Sequence, residues 1–300
     1  MERDQILDRL VLGTAGLAGI WGKVDKNESV KAIHMALDMG ITHFDTAPAY
    51  ADAEKILSEA LLSYKKSKVF VSTKVGKGKA EDPDALFLDY SQSAIRKSVE
   101  QSLKLFRRDN LDLVFLHDPV FIKEDEIRPV IDELSKLKEE GKVSRIGIGG
   151  NYPASFSSFA CSGVFSHFMG FNRFNILLQD AIDHEFKELA DAGLECWQAS
   201  PLYMGLLGSK HEQYCSDRPE WIPEVVVQKA CRLKLWCDNR KLNMTNLAHH
   251  YVMNSNLVNK MVIGASTPNE LAQTMNGLLD HRNMDAVKEY FSIDHHHLMN

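Results

Sequence analysis

The stretch that decides the fold class covers residues 41–50 and reads Ile-Thr-His-Phe-Asp-Thr-Ala-Pro-Ala-Tyr. It follows a helical pattern that ends at Gly40, and its short apolar beginning predicts a strand over Ile41–Asp45. A turn through Pro48 then presents Tyr50 just beyond the strand. Loops on a rigid scaffold are where functional groups collect, so a carboxylate and a phenol here indicate a site. Taken alone, the stretch would be better explained by capping at Asp45 and packing of Tyr50.

The same unit of an apolar strand followed by an amphipathic helix recurs along the whole chain. The predicted strands are Arg9–Thr14, Ile41–Asp45, Val69–Lys74, Leu111–His117, Val143–Ile148, His167–Phe171, Leu194–Ala199 and Met261–Gly264. The predicted helices are Ser29–Asp38, Glu54–Tyr64, Ser91–Phe106, Ile127–Glu140, Ala154–Ala160, Glu185–Ala192, Glu224–Arg240, Asn246–Asn254, Pro268–Leu279 and Asp285–Phe291. An open doubly wound sheet would fit this order, but the regular alternation favours a closed (β/α)₈ TIM barrel in an α/β fold. We expect one domain over residues 1–300.

Composition excludes several classes of protein. With 44% hydrophobic and 25% charged residues the chain is typical of a globular protein with a large core. A net charge of −6 gives no electrostatic case for binding nucleic acid or an anionic membrane. We find no apolar signal core and no apolar run of about 18 residues. The five cysteines are scattered without a Cys-x-x-Cys, which predicts reduced thiols, a cytoplasmic protein and no metal site.

Polar residues stand at the ends of three consecutive predicted strands. In a barrel Asp45, Lys74 and His117 would meet at the C-terminal mouth, with Tyr50 in the loop just beyond. An ammonium lowers the pKa of a nearby phenol, and a carboxylate orients the ammonium. A neutral imidazole can donate a hydrogen bond to a substrate oxygen. Such a set moves a proton on and off an oxygen that alternates between carbonyl and hydroxyl. The accompanying hydride requires a nicotinamide cofactor.

Five motifs of the chain, spread from about Leu10 to Leu279, resemble those of the aldo-keto reductase superfamily. The motifs that carry the resemblance are Gly13-Thr14, Phe44-Asp45-Thr46-Ala47-Pro48-Ala49-Tyr50, Thr73-Lys74-Val75, Leu116-His117-Asp118-Pro119 and Ser200-Pro201-Leu202-x-x-Gly205-Leu206-Leu207. The resemblance implies that Tyr50 is the general acid/base, that Lys74 and Asp45 tune it, and that His117 orients the substrate carbonyl.

Two further motifs look most like the aldose dehydrogenase branch, which oxidises sugars such as L-fucose, D-arabinose or other D-threo-aldoses at C1. They are Gly147-x-Gly149-x-Asn151 and Ala199-Ser200-Pro201. The chain also departs from the family. Gly149-Gly150 replaces a common Ser-Asn pair, Phe171 stands where many reductases have glutamine, and Ala199 replaces the aromatic ring that stacks on the nicotinamide.

The resemblance also implies a set of cofactor-binding residues. These are Asn151, which would bind the nicotinamide amide, and Ser200, Pro201, Leu202, Gly264, Ala265, Ser266 and Glu270. Many NADP-dependent members hold the 2′-phosphate with a lysine and an arginine after the last strand. Here Ala265 and Glu270 stand in those places, so we expect NAD to be preferred, with NADP as the alternative. Glu270 is also well placed to be an ordinary carboxylate at a helix start.

For the substrate, a small sugar or aldehyde, we expect Trp21 and Asp118 to line the pocket, although surface packing and loop capping would also explain them. Three alternatives stay open: an NADPH-dependent reductase of small aldehydes or ketones, an aldolase with a Schiff base on Lys74, and a catalytically silent regulatory subunit. Asp45 would hold Lys74 charged, which disfavours the Schiff base. We expect a monomer or a homodimer.

Overall fold

The strands and helices follow one another much as the sequence predicts. The computed structural model describes residues 2–64, 68–79 and 87–297. In chain order the strands are β1 Leu10–Gly13, β2 His43–Asp45, β3 Phe70–Val75, β4 Lys77–Gly78, β5 Phe87–Leu88, β6 Leu113–His117, β7 Ile146–Gly149, β8 His167–Phe171, β9 Glu195–Ala199 and β10 Lys260–Gly264. The helices are α1 Arg3–Asp8, α2 Lys26–Met39, α3 Ala53–Ser63, α4 Gln92–Phe106, α5 Ile127–Glu139, α6 Ser157–Ala160, α7 Lys187–Asp191, α8 His211–Ser216, α9 Glu224–Asn239, α10 Met244–Met253, α11 Pro268–Leu279 and α12 Arg282–His297.

Eight of the strands are parallel and close into a ring in the order β1-β2-β3-β6-β7-β8-β9-β10, with β10 paired to β1. The small antiparallel pair of β4 and β5 lies outside the ring. The predicted (β/α)₈ barrel is therefore confirmed. Within the described ranges, no helix combines the length and the apolar character that crossing a bilayer requires.

Some predicted boundaries shift for identifiable reasons. The second strand begins at His43, two residues later than expected, because Gly40 ends α2 in a left-handed conformation with φ 101°. The Ile41 N–H consequently bonds to the Ala36 carbonyl at 2.9 Å, which keeps it out of the sheet. The predicted helix from Ala154 is a 3₁₀ turn followed by the single turn α6. Sequence periodicity also missed α1, α8 and the β4–β5 pair, which are short elements.

The inside of the barrel is filled by apolar side chains. A buried cluster is formed by Val11, Leu113, Phe115, Met169, Trp197 and Val262. Gly147 and Gly149 of β7 make room for the Phe115 ring, because a Cβ at Gly147 would lie 2.5 Å from it. Successive residues of a strand point alternately into and out of a barrel. The packed interior therefore leaves the C-terminal mouth as the end where polar chemistry can take place.

Candidate active site

The structure brings the strand-end residues together at the mouth of the barrel. Asp45, Lys74 and His117 are the last inward-facing residues of β2, β3 and β6, and each is at most 9% exposed. The Lys74 ammonium donates to Asp45 Oδ2 at 2.5 Å and to the Thr46 carbonyl at 3.0 Å. The other oxygen of Asp45 accepts from Ser72 Oγ at 2.8 Å. The carboxylate is therefore fixed from two sides and holds the ammonium in place.

Tyr50 joins this group from the loop that leads into α3. Its backbone N–H bonds to the Ala47 carbonyl at 3.0 Å, and its own carbonyl accepts from the Ala53 N–H at 2.9 Å. Lys74 Nζ lies 4.8 Å from the centre of the Tyr50 ring. The ring meets the imidazole of His117 edge-on, with centroids 5.9 Å apart and planes at 88°. A phenol, an ammonium and an imidazole thus share one small region, as the strand ends predict.

Burial and neighbouring charges shift the pKa of Lys74, Tyr50 and His117. Burial lowers the pKa of Lys74, but Asp45 and Tyr50 together outweigh it and raise that pKa, so the side chain is charged. Burial raises the pKa of Tyr50 and outweighs the opposing effect of Lys74. Burial, followed by Lys74 and Lys77, holds the pKa of His117 well below 6.5, so its imidazole is neutral. A permanently charged Lys74 is a poor nucleophile, which counts against a Schiff-base aldolase.

Two side chains hold the Tyr50 loop and the end of β6 in position through hydrogen bonds. Glu54, in the first turn of α3, accepts hydrogen bonds from Thr73 Oγ1 at 2.7 Å and Ser102 Oγ at 2.8 Å. This ties the helix behind the Tyr50 loop to β3. The Tyr90 hydroxyl donates to the His117 carbonyl at 2.7 Å and fixes the end of β6.

Lys77 is a site residue that the sequence reasoning missed. It forms an ion pair with Asp118, and its ammonium lies 5.1 Å from the centre of the Phe121 ring. Asp118 Oδ2 lies 4.0 Å from His117 Nε2, so the pair is adjacent to the imidazole. Asp118 has a left-handed backbone, with φ 46°. The sequence does show a lysine three places after Lys74, but the spacing does not indicate that this lysine pairs with Asp118.

Trp21 lies on the loop after β1, at the same end of the barrel. Its side chain is 49% exposed, and a Cβ placed on Gly16 would lie 3.6 Å from Trp21 Cδ1 and 3.1 Å from Ser266 Oγ. The ring therefore stands beside the loop that follows β10. A role for Trp21 in lining the substrate pocket remains a prediction.

Of the five other strand ends at the mouth, four carry small residues and the fifth, on β8, carries Phe171, which is 38% exposed. The last inward-facing residues of β1, β7, β9 and β10 are Gly13, Gly149, Ala199 and Gly264. A Cβ built on Gly264 would meet nothing within 4 Å, and Gly264 is exposed. Glycine and alanine at these four strand ends add little side-chain volume across the mouth from Asp45, Lys74 and His117.

Comparison with known proteins identifies the family. The sequence profile described as the Aldo/keto reductase family matches residues 9–291. The chain belongs to the aldo/keto reductase family. The expected resemblance is thus confirmed, and the protein is an NAD(P)-dependent oxidoreductase.

This aldo/keto reductase resembles several named relatives. It is 26% identical to an L-galactose dehydrogenase of Arabidopsis thaliana, over 93% of this chain and 87% of that protein. It is 30% identical to a D-arabinose 1-dehydrogenase of Saccharomyces cerevisiae, over 87% of this chain and 80% of that protein. Among solved structures, a glycerol dehydrogenase of Gluconobacter oxydans superposes with a TM-score of 0.74 at 25% identity, covering 94% of this chain and 90% of that one.

The mouth of this aldo/keto reductase fits a nicotinamide ring. Three buried polar atoms at this end of the barrel lack a hydrogen-bond partner among the described residues: Thr46 Oγ1, His117 Nδ1 and Asn172 Oδ1. Buried polar groups without a partner are rare and call for an explanation, and a bound ligand would supply one. Together with the glycine and alanine residues at four strand ends, these atoms fit a planar, polar group.

The loop after β9 contains three of the predicted cofactor residues. Ser200 has φ 56°, and its hydroxyl accepts from the Met204 N–H at 2.9 Å. Pro201 is buried and Leu202 partly buried in the turns that follow. Asn151 lies just past the end of β7, where its carbonyl accepts from the Val120 N–H at 3.1 Å and its side chain is partly buried. Binding of the cofactor by these residues remains a prediction.

The loop after β10 shows Glu270 in a structural role. Its carboxylate accepts from the Ser266 N–H at 2.7 Å, and its own N–H donates to Thr267 Oγ1 at 3.2 Å, which caps α11. Ala265 is 3% exposed and brings no charge to the surface. This loop therefore contains a carboxylate and no lysine or arginine.

Proposed function

We propose that this aldo/keto reductase oxidises an aldose at C1 to the lactone and prefers NAD to NADP. The observation that carries the proposal is the convergence of Tyr50, Lys74, Asp45 and His117 at the barrel mouth. The two relatives named above as sugar dehydrogenases support the choice of an aldose.

The proposed chemistry assigns one task to each residue. The neutral imidazole of His117 donates a hydrogen bond to the oxygen on C1 and fixes its position. The phenolate of Tyr50 removes the proton of the C1 hydroxyl, and the Lys74 ammonium stabilises that phenolate while Asp45 anchors the ammonium. The nicotinamide, when bound, supplies the acceptor for the hydride that leaves C1. The proton remains on Tyr50 until it passes to solvent.

The choice of NAD rests on the loop after β10. A charge-assisted hydrogen bond contributes about 1.5–3 kcal/mol, so the absence of cationic partners costs about one to two powers of ten in NADP affinity. Glu270 adds repulsion against a 2′-phosphate. Asn151, Ser200, Pro201, Leu202, Gly264, Ala265 and Ser266 complete the proposed cofactor contacts.

The rim of the mouth suits a sugar. Asp118 and Lys77 place a carboxylate and an ammonium next to His117, and such groups bind sugar hydroxyls. Trp21 offers a large flat face nearby. We expect the enzyme to work as a monomer or homodimer in the cytoplasm.

A panel of aldoses tests the proposal. L-Galactose, D-arabinose and L-fucose are offered with NAD or NADP, and formation of the reduced cofactor is followed by absorbance at about 340 nm. We expect turnover with at least one aldose and a higher kcat/KM with NAD. Turnover of hydrophobic aldehydes with no aldose accepted would contradict the substrate assignment.

A second candidate is the reverse chemistry, reduction of a small aldehyde or ketone with NADPH. It is favoured by the raised pKa of Tyr50, because reduction requires the protonated phenol. The same assay distinguishes the two when it is run with reduced cofactor and simple aldehydes.

A further inference from the structure

Two cysteines and a histidine meet outside the active site, between α8 and α9. Cys215 Sγ lies 3.0 Å from Cys231 Sγ, and the nearer ring nitrogen of His211, Nε2, lies 3.7 Å from Cys215 Sγ. All three ligand atoms fall within 4.8 Å of one another. The sequence analysis predicted no metal site because the five cysteines are scattered without a Cys-x-x-Cys, and these two are 16 residues apart. In the folded chain, α8 and α9 bring the two sulfur atoms together.

Cys215 Sγ lies 3.9 Å from Nδ1 and 3.7 Å from Nε2 of His211, and a backbone carbonyl fixes the tautomer of this ring. Its Nδ1 lies 3.0 Å from the Leu206 carbonyl, to which the Nδ1–H donates. Nε2 then carries the free lone pair and is the nitrogen closer to Cys215 Sγ. A hydrogen bond from the second ring nitrogen to a carbonyl is the usual way in which a ligand histidine is held in the correct tautomer.

Packing fixes the two helices relative to each other before any metal binds. His211 and Cys215 are four residues apart and lie on one face of α8. The segment between α8 and α9 is anchored by Trp221, whose ring contacts those of Tyr203 at 6.1 Å and Tyr214 at 5.9 Å. The three ligands are therefore presented by a formed framework.

The distances are close to those of a tetrahedral centre. Zinc–ligand bonds of about 2.0–2.3 Å place neighbouring ligand atoms about 3.6–3.8 Å apart. The separation of His211 Nε2 and Cys215 Sγ already has this value. The two sulfurs need to separate by less than about 1 Å, which a small side-chain rotation provides. Cys231 is exposed and borders a surface cavity of about 560 Å³, so an ion has a path of entry.

We propose that His211, Cys215 and Cys231 form a binding site for a soft divalent cation of the zinc type, with solvent at the fourth position. Binding converts two thiols to thiolates and releases two protons, and the neutral imidazole binds unchanged. The centre formed by two thiolates and a divalent ion is neutral, so the neighbouring Arg218 and Arg232 do not oppose it. This proposal does not depend on the substrate of the enzyme.

Cobalt titration tests the site directly. The full chain is treated with chelator and a thiol-free reductant, and Co²⁺ is added while thiolate-to-cobalt charge-transfer and visible bands are recorded. We expect tetrahedral bands that saturate at one equivalent and are abolished by Zn²⁺, which binds more tightly than Co²⁺. Cys231→Ser should weaken binding by more than about 100-fold, since losing an outer-shell partner alone costs 10–100-fold.

Cys161→Ser is the matched control, because Cys161 is also exposed but lies at the end of α6. It should leave the cobalt spectrum and the affinity unchanged. Zn²⁺ should also raise the unfolding temperature of the native protein and of Cys161→Ser but not of Cys231→Ser. Absence of charge-transfer bands in the reduced native protein would overturn the proposal. Bands that survive in Cys231→Ser, or a Cys215–Cys231 disulfide that forms while the reduced protein binds no Co²⁺, would do the same.

Discussion

Lys74→Met isolates the buried ion pair on which the proposed mechanism depends. The substitution removes the ammonium that lies 2.5 Å from the Asp45 carboxylate and leaves Ser72 Oγ, at 2.8 Å, as its remaining side-chain partner. Asp45 is 3% exposed, so water cannot replace the lost cation. Breaking a buried pair by removing one partner costs about 3–5 kcal/mol. We expect the free energy of unfolding near pH 7 to fall by about that amount in urea denaturation.

The pH dependence of this loss has a defined sign. Burial raises the pKa of the Asp45 carboxyl, and the substitution removes the Lys74 ammonium that lowers it. In the variant the folded carboxyl therefore has a pKa above the unfolded value of about 3.9. The folded state then binds more protons than the unfolded state, so stability rises as the pH falls. The deficit relative to the native protein should be largest near pH 8 and shrink towards pH 5.

A double variant separates lost charge pairing from lost packing. Lys74→Met combined with Asp45→Asn removes both charges and should lie within about 2 kcal/mol of the native protein, because a neutral pair carries no uncompensated charge. Both variants should lose about 10²–10⁴-fold in turnover. If the double variant were no more stable than Lys74→Met, or if the deficit were independent of pH, the unpaired carboxylate would not be its cause.

Three further predictions concern the direction, the cofactor and the substrate. The rate of aldose oxidation should increase with pH through the neutral and alkaline range, because Tyr50 must be a phenolate and its pKa is raised; a flat pH profile of kcat would contradict this. Glu270→Arg should shift the NADP-to-NAD ratio of kcat/KM upward by about 10–100-fold and cost about 1 kcal/mol of stability, because the Ser266 N–H loses the carboxylate that accepts its hydrogen bond; an unchanged ratio would remove Glu270 from the cofactor site. Asp118→Asn should raise KM for aldoses about tenfold and leave simple aldehydes nearly unaffected; an equal loss for both would assign Asp118 to the support of His117.

The barrel and the gathering of polar residues at its mouth could be predicted because they follow from local patterns. Each strand is a short apolar run closed by a turn, and parallel strands place their carboxyl ends on one side. Asp45, Lys74 and His117 could therefore be assigned to one mouth without knowledge of any contact, and Tyr50 followed from its place in the next loop.

What could not be predicted depends on contacts between distant segments. Lys77 and Asp118 are 41 residues apart, and their pairing depends on where β4 lies relative to the end of β6. His211 meets Cys231 because α8, a helix of six residues, folds back on α9. Such a short helix carries almost no periodic signal.

The pKa of Tyr50 is a second property that could not be predicted from the sequence. The sequence shows that an ammonium lies near the phenol, which lowers its pKa. It does not show how completely the ring is removed from water, and in the structure that burial outweighs Lys74. Opposing effects of similar size can be ranked only once the burial of each group is known.

The most direct test of the central claim is the turnover of Tyr50→Phe, measured together with its affinity for NAD. The substitution removes the hydroxyl and keeps the ring that contacts His117 edge-on, so the pocket should be preserved. We predict that kcat for aldose oxidation falls by about 10²–10⁴-fold, while the dissociation constant for NAD, measured by quenching of protein fluorescence, changes by less than about twofold. Retention of most of the turnover with unchanged NAD binding would show that another group moves the proton.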